Sequence, residues 1–323
     1  MSTVASHHLN VPLAAKSRGE QHHRWLALDP IVVLPPLTVL HLLVHAPQAW
    51  YLSVVLVPLF ALGLIFRPWL RSAPFWYVTA ALLGTTVYFN WETTDNHKYL
   101  FVYWCLALCC TFSLPRDQWR GTLAQTSRLL IALCMVLATA WKALTPEYMD
   151  GRFFSFELLV DERFASFTHW MTGVSLDSLA TNRELRDLML HGHLTGTTVN
   201  SVELAGWNQV AWLSGFLTWW TVLIEGALGL LFLVPVSRAG NYARWISLTR
   251  NTLLILFAVT TYSVAPVRGF GWMLMLLGLA QCIDTGIDSR DRRFRWGYLA
   301  ALLLIQAYTI PLGQIISLLS SAA

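Results

Sequence analysis

"FLTWWTVLIEGALGLLFLV", Phe216–Val234, holds a single charged residue, Glu225, in 19 positions. A helix needs about 20 predominantly apolar residues to cross the hydrocarbon core of a bilayer, and this run is close to that length. It is continuous rather than alternating, which argues against a half-buried strand or a barrel strand. Runs of the same kind recur near 30–46, 49–66, 74–91, 98–114, 124–143, 247–266, 269–284 and 296–319, and the full sixth run extends over 210–235. The expectation is an all-α, polytopic transmembrane helix bundle of about nine spans. The first, second and eighth runs are short for a full crossing. Composition points the same way. Apolar residues make up 55% of the chain and charged residues 12%, against about 25% charged in a soluble domain.

Residues 1–28 are polar and carry His7, His8, His22 and His23. They lack the apolar core of a cleavable signal and read as a disordered tail. The remainder, 29–323, reads as one transmembrane domain with an outer-face insertion at 144–209. Basic residues set the orientation, because cytoplasmic loops retain Lys and Arg. With the N-terminus inside and nine spans, 15 of the 22 Lys and Arg residues fall on the inside, and the C-terminus is outside. The expected location is therefore the inner (plasma) membrane, with lipid as the first partner. The basic residues are spread over several inside turns, so the charge of +4 is a topology signal rather than a nucleic-acid patch.

No phosphate-binding loop, Walker pattern or H-E-x-x-H is present. The five cysteines, Cys105, Cys109, Cys110, Cys134 and Cys282, all lie in apolar runs and form no C-x-x-C pair. They read as small packing residues.

On this topology the unusual polar residues gather at the outer face. "WETTDNHKYL", Trp91–Leu100, is a polar turn between the third and fourth runs. Asp95 and Asn96 are good N-cap types for the helix that follows. Lys142 ends the fifth run in "LATAWKALTPEYMDG", beside Trp141. An interfacial lysine ordinarily snorkels to water; a partly desolvated amine is instead a candidate base or nucleophile. His41 and His45 share a helix face at i, i+4, a spacing that suits a metal or haem but has no third ligand assignable from sequence; His191 and His193, at i, i+2 in a loop, are a weak metal pattern, and no metal is expected. Glu225 is costly at mid-span, so it should face the bundle interior with a partner or a proton. Gly226 and Gly229 beside it permit close helix approach. In the insertion, Phe153, Phe154, Phe156, Leu158, Leu159, Phe164 and Phe167, then Leu176, Leu179, Leu185 and Leu188, are spaced for short interfacial helices that lie on the membrane or cover the outer mouth of the bundle.

Three segments resemble the vitamin K-dependent gamma-carboxylase family and its bacterial relatives, which share the horizontally transferred transmembrane (HTTM) domain. "DNHKYLFVYWCLAL" with "LPRDQW" is similar to the family turn in which Asn-His-x-Tyr-Leu starts a membrane helix, here Asn96, His97, Tyr99 and Leu100. "AWKALTPEYMDG" resembles the lysine-bearing segment, with Lys142, Tyr148 and Gly151, and "WTVLIEGALGLLFLVPVSR" the acidic helix, with Glu225. The order agrees, and the resemblance covers roughly 25–320. It implies that Lys142 is the base that deprotonates a reduced vitamin K-type quinone, with His97 beside it in the catalytic site. Asn96, Tyr99, Trp141 and Glu225 are then the candidate cofactor-binding residues, and a peptide or protein at the outer face the candidate substrate. The large extramembrane portion with which the animal carboxylases hold their substrate protein has no counterpart in the match.

Three functions stay open on this reading. One is a quinol-linked enzyme, carboxylase-like or epoxidising. The second is a non-enzymatic accessory or immunity-type membrane subunit, which needs only the fold. The third is a small-solute transporter with Glu225 as its proton site.

Overall fold

The computed structural model describes residues 29–45, 50–191, 202–235, 242–264, 267–282 and 289–308. The tail histidines, His193 and the last part of the ninth run lie outside these residues. Every described element is helical, and no strand occurs among them. The helices are α1 (Pro30–His45), α2 (Trp50–Ile65), α3 (Ala73–Phe89), α4 (Asn96–Ser113), α5 (Trp119–Leu144), α6 (Pro146–Met149), α7 (Arg152–Val160), α8 (Ala165–Thr172), α9 (Leu176–His191), α10 (Trp207–Leu233), α11 (Ala243–Val264), α12 (Arg268–Gln281) and α13 (Ser289–Tyr308). A helix therefore stands at each of the nine apolar runs. Two of them, α5 and α10, are long and apolar enough to cross a membrane by length and composition; α1, α2 and α12 are apolar but shorter.

The packing of α10 shows what surrounds it. Its buried face carries Ser214, Thr218, Thr221 and Glu225 among Val210, Leu213, Leu217, Ile224, Leu228 and Phe232. Its exposed face carries Trp212, Phe216, Trp219, Leu223 and Leu230. A helix at a water-facing surface has the opposite arrangement, with its polar side outward. Helix α5 agrees: Ser127 is buried while Leu133, Leu137, Trp141 and Leu144 are exposed.

Helix α12 is the centre of the bundle. Gly271–Gln281 are all buried, and α1, α4, α5, α11 and α13 pack around it. A helix apolar on every side belongs inside a larger assembly. Gly278 makes this possible, because a Cβ there would lie 2.4 Å from the Tyr298 ring of α13.

Helices α5 and α10 form the most extensive pair and run antiparallel. A Cβ at Gly226 would meet Thr139 at 3.4 Å, and one at Gly229 would meet Val136 at 2.7 Å. One turn pair further on, Arg128 donates to the carbonyls of Phe232 and Leu233 at 2.6 and 2.9 Å, capping the negative end of α10.

The insertion forms its own small core from Leu158, Leu159, Val160, Phe164, Val174 and Leu179, set against Val210, Leu213 and Leu217 of α10. Gly151, at φ +83°, turns the chain from α6 into α7, in a conformation that disfavours any side chain. Asn182 then ties the returning chain to α9, its amide exchanging two 2.9 Å hydrogen bonds with the backbone of Ala205.

Candidate functional site

Lys142 sits in the last turn of α5 and Glu225 well inside α10. The antiparallel register that brings Thr139 against Gly226 also lets the long lysine stem reach down to the carboxylate. Its Nζ lies 2.5 Å from both carboxylate oxygens. The side chains are 19% and 9% exposed, so the pair is largely desolvated. Desolvating two charges costs several kcal/mol per ion, which close pairing must offset. Lys142 is thus held by a carboxylate and does not lie among apolar neighbours alone.

Tyr148 covers the pair. The Lys142 ammonium lies 5.3 Å from the Tyr148 ring centroid, within cation–π range. The Tyr148 hydroxyl shares a 2.7 Å hydrogen bond with Thr221, one turn above Glu225 on α10. Burial pushes the Tyr148 hydroxyl above its ordinary range, so it is a neutral donor or acceptor. Phe153 stacks on the same ring at 5.1 Å and Phe154 meets it edge-on at 5.4 Å. The first turns of the insertion thus roof the ion pair with aromatic surface.

The polar turn before α4 is built differently from a side-chain cap. Asp95 occupies the N-cap without a side-chain capping bond and instead faces Lys98 at 3.7 Å. His97 is half-buried, its ring edge-on to Phe101 at 5.4 Å. Phe101 in turn meets the buried ring of His41 at 4.7 Å, and His41 lies 5.4 Å from Trp272. No hydrogen bond, ion pair or ring contact joins His97 to Lys142 among the described residues. Tyr99 is half-buried on α4, Trp141 is 73% exposed beside Lys142, and the Asn96 and His45 side chains lie outside what is described. Among the described residues, no group of three or more His, Cys, Asp or Glu side chains converges as a metal site.

A second polar cluster lies at the opposite end of the bundle, where sequence reasoning had singled out nothing. Asn251 Oδ1 accepts from Gln281 Nε2 and from the Tyr298 hydroxyl, each at 2.5 Å, and Arg250 donates to Gln281 Oε1 at 2.7 Å. Asn251 inside α11 and Gln281 at the end of α12 were the available signal, since an amide in an apolar run must find a partner when buried. Three packed helices are locked together by that network.

No family model matches the chain, and neither does any curated protein or solved structure. Fold and geometry therefore define the class: a protein whose described elements are all helical, with two helices among them long and apolar enough to cross a membrane and a desolvated Lys–Glu pair between those two.

Proposed function

We propose that the protein is a polytopic membrane enzyme that takes a proton from a lipid-soluble hydroxylated ring of the quinol class at Lys142–Glu225. The observation that carries this reading is the desolvated ion pair at 2.5 Å under an aromatic roof. A structural charge needs no such roof, whereas a planar hydroxylated ring needs one face to stack on and one polar edge. Tyr148 offers the first, and Lys142 with Glu225 the second. The three segments similar to the gamma-carboxylase family support the same assignment.

In this mechanism Lys142 passes a proton to the Glu225 carboxylate and takes one from the substrate hydroxyl. The substrate oxygen is left as an anion beside the restored ammonium. Glu225 holds the proton, so charge in the site is conserved. Stabilisation of the developing oxyanion by a fixed cation in a desolvated site is a large catalytic term, and proton transfer to a positioned base typically contributes about 10²–10⁴-fold. The resemblance adds His97 to the same catalytic site and Asn96, Tyr99 and Trp141 to the residues that hold the ring. The reading includes a nine-span bundle in the plasma membrane, with the N-terminus inside and the site toward the outer face.

The test is extraction of the purified protein for bound quinone. The wild type should retain a quinone or its quinol form, and the double variant Lys142→Ala/Glu225→Gln, which leaves no unpaired charge, should not. Equal quinone content in both would overturn the assignment and leave the pair as an interhelical clamp. That second reading is favoured by one observation: both carboxylate oxygens are already taken by Lys142. It would suit a non-enzymatic accessory subunit.

A further inference from the structure

At the end of the bundle opposite Lys142, the α2–α3 turn, the α4–α5 turn with the start of α5, and the start of α1 frame an open cavity of about 550 Å³. Arg67, Arg71, Arg116 and Arg120 line it, with Ile31 and Trp119. Asp29 pairs with Arg120 at 2.5 Å. Arg116 lies 5.8 Å from the Trp119 ring centroid. Arg71 has no ion-pair or hydrogen-bonded carboxylate among the described residues and is exposed. Phe66 and Trp69, both about half exposed, lie in the same α2–α3 turn as Arg67, with their rings 5.8 Å apart.

We propose that this cavity binds the phosphate-bearing headgroup of an anionic phospholipid. Orientation in the membrane requires only that arginines lie on one side. It does not require four of them to converge on one cavity that Ile31 and Trp119 also line. Arginine forks match phosphate oxygens in pairs, and basic pockets between helix ends suit anionic headgroups. The cavity volume falls in the range of ligand sites. Ile31 and Trp119 line the cavity, and the exposed rings of Phe66 and Trp69 belong to the turn that carries Arg67 and Arg71, so apolar and amphipathic surface is at hand for the glycerol and first acyl carbons beyond the headgroup. A soluble phosphate compound would use the guanidinium groups and leave that surface idle. The inference rests on the bundle lying in a bilayer and not on the chemistry at Lys142.

The purified full chain in neutral detergent is titrated with phosphatidylglycerol, phosphatidylcholine and glycerol 3-phosphate, with retained lipid counted by native mass spectrometry. Phosphatidylglycerol should bind in preference to phosphatidylcholine. Each of Arg71→Gln and Arg116→Gln should weaken it by about fivefold, and the double variant by about 25-fold. Both side chains are exposed, so the fold should survive, and Arg71→Lys/Arg116→Lys should recover only part of the affinity, because lysine restores the charge but not the paired fork. Equal retention of phosphatidylglycerol by wild type and the double glutamine variant would overturn the site. Equal binding of phosphatidylcholine would also overturn it, by showing ordinary annular lipid. Binding of glycerol 3-phosphate as tight as that of phosphatidylglycerol would overturn the lipid as occupant in favour of a soluble phosphate. A misplaced topology is read separately, by reporter fusions, and does not mimic any of these results.

Discussion

At the residue scale, Lys142 and Glu225 depend on each other. Removing one partner of a desolvated pair leaves the other charge uncompensated, at a cost of roughly 3–5 kcal/mol; the 19% exposure of Lys142 places this case near the lower end. Lys142→Ala alone should therefore lower the thermal midpoint clearly, although an end-of-helix lysine would ordinarily be dispensable. Glu225→Gln should be milder, because the amide still accepts from the ammonium. The double variant Lys142→Ala/Glu225→Gln should be more stable than Lys142→Ala. A double-mutant cycle followed by thermal unfolding measures the coupling, and additive effects would mean that the two groups do not interact in the folded protein. The need of Glu225 for a partner was legible from its place in an apolar run. The identity of that partner was not, since 83 positions separate the two residues and only the helix register joins them.

At the element scale, two predictions separate packing from charge. Val136 of α5 occupies the space over Gly229: a Cβ there would lie 2.7 Å from a side-chain carbon and 3.1 Å from its backbone nitrogen. Backbone cannot swing aside, so Gly229→Ala should force α5 from α10, cost about 1–3 kcal/mol and loosen the Lys142–Glu225 pair. Gly215→Ala on the same helix meets nothing within 4 Å and should be neutral or slightly stabilising. Thermal unfolding of the two variants side by side decides whether close approach or helix propensity governs α10. The second prediction concerns α7. Burial, and then the charge of Asp161, push the Glu157 carboxyl above its ordinary value of 4.5. Burial pushes Asp161 up as well, but its hydrogen bonds from Arg163 outweigh that and hold it below 3.8. The folded protein thus keeps the Glu157 proton longer than the unfolded chain does, and stability falls as pH rises from 4.5 through the raised value. Asp161 acts in the opposite sense, losing its contribution on acidification below 3.8. Glu157→Gln should flatten the first slope and make the protein more stable than wild type above that window, as thermal midpoints from roughly pH 4 to 8 would show. The existence of these insertion helices was readable from the spacing of Phe and Leu. The choice between lying on lipid and covering the bundle was not, because the same spacing serves both, and it is the packing against Val210, Leu213 and Leu217 of α10 that decides it.

At the scale of the whole molecule, the apolar runs made the helices legible, while their lengths leave the number of crossings to be measured. Helices α1 and α2 have 16 residues and α12 has 14, about 24 and 21 Å at 1.5 Å per residue, against a hydrocarbon core of about 30 Å. For α12 the shortfall carries little penalty, because it is surrounded by protein and meets no lipid. For α1 and α2 it matters more, since Val44, Val54, Val55 and Ile65 face outward. These cases leave different marks on topology. If α1 and α2 enter and leave by the same face without crossing, two spans vanish and the ends of the chain stay on opposite sides. If α12 fails to cross, one span vanishes and the C-terminus changes side. With nine crossings, the 15-to-7 split of basic residues puts the N-terminus inside. Reporter fusions within 170–200 and after Ser321 should then both read outside, and fusions in the 67–72 and 114–118 turns should read inside. A fusion at 46–49 should read outside if α1 crosses. An inside reading there alone would make α1 and α2 a re-entrant pair, whereas an inside reading after Ser321 alone would remove the crossing at α12. An inside reading within 170–200 would sink the orientation itself, and with it the placement of Lys142 and its aromatic roof toward the outer face.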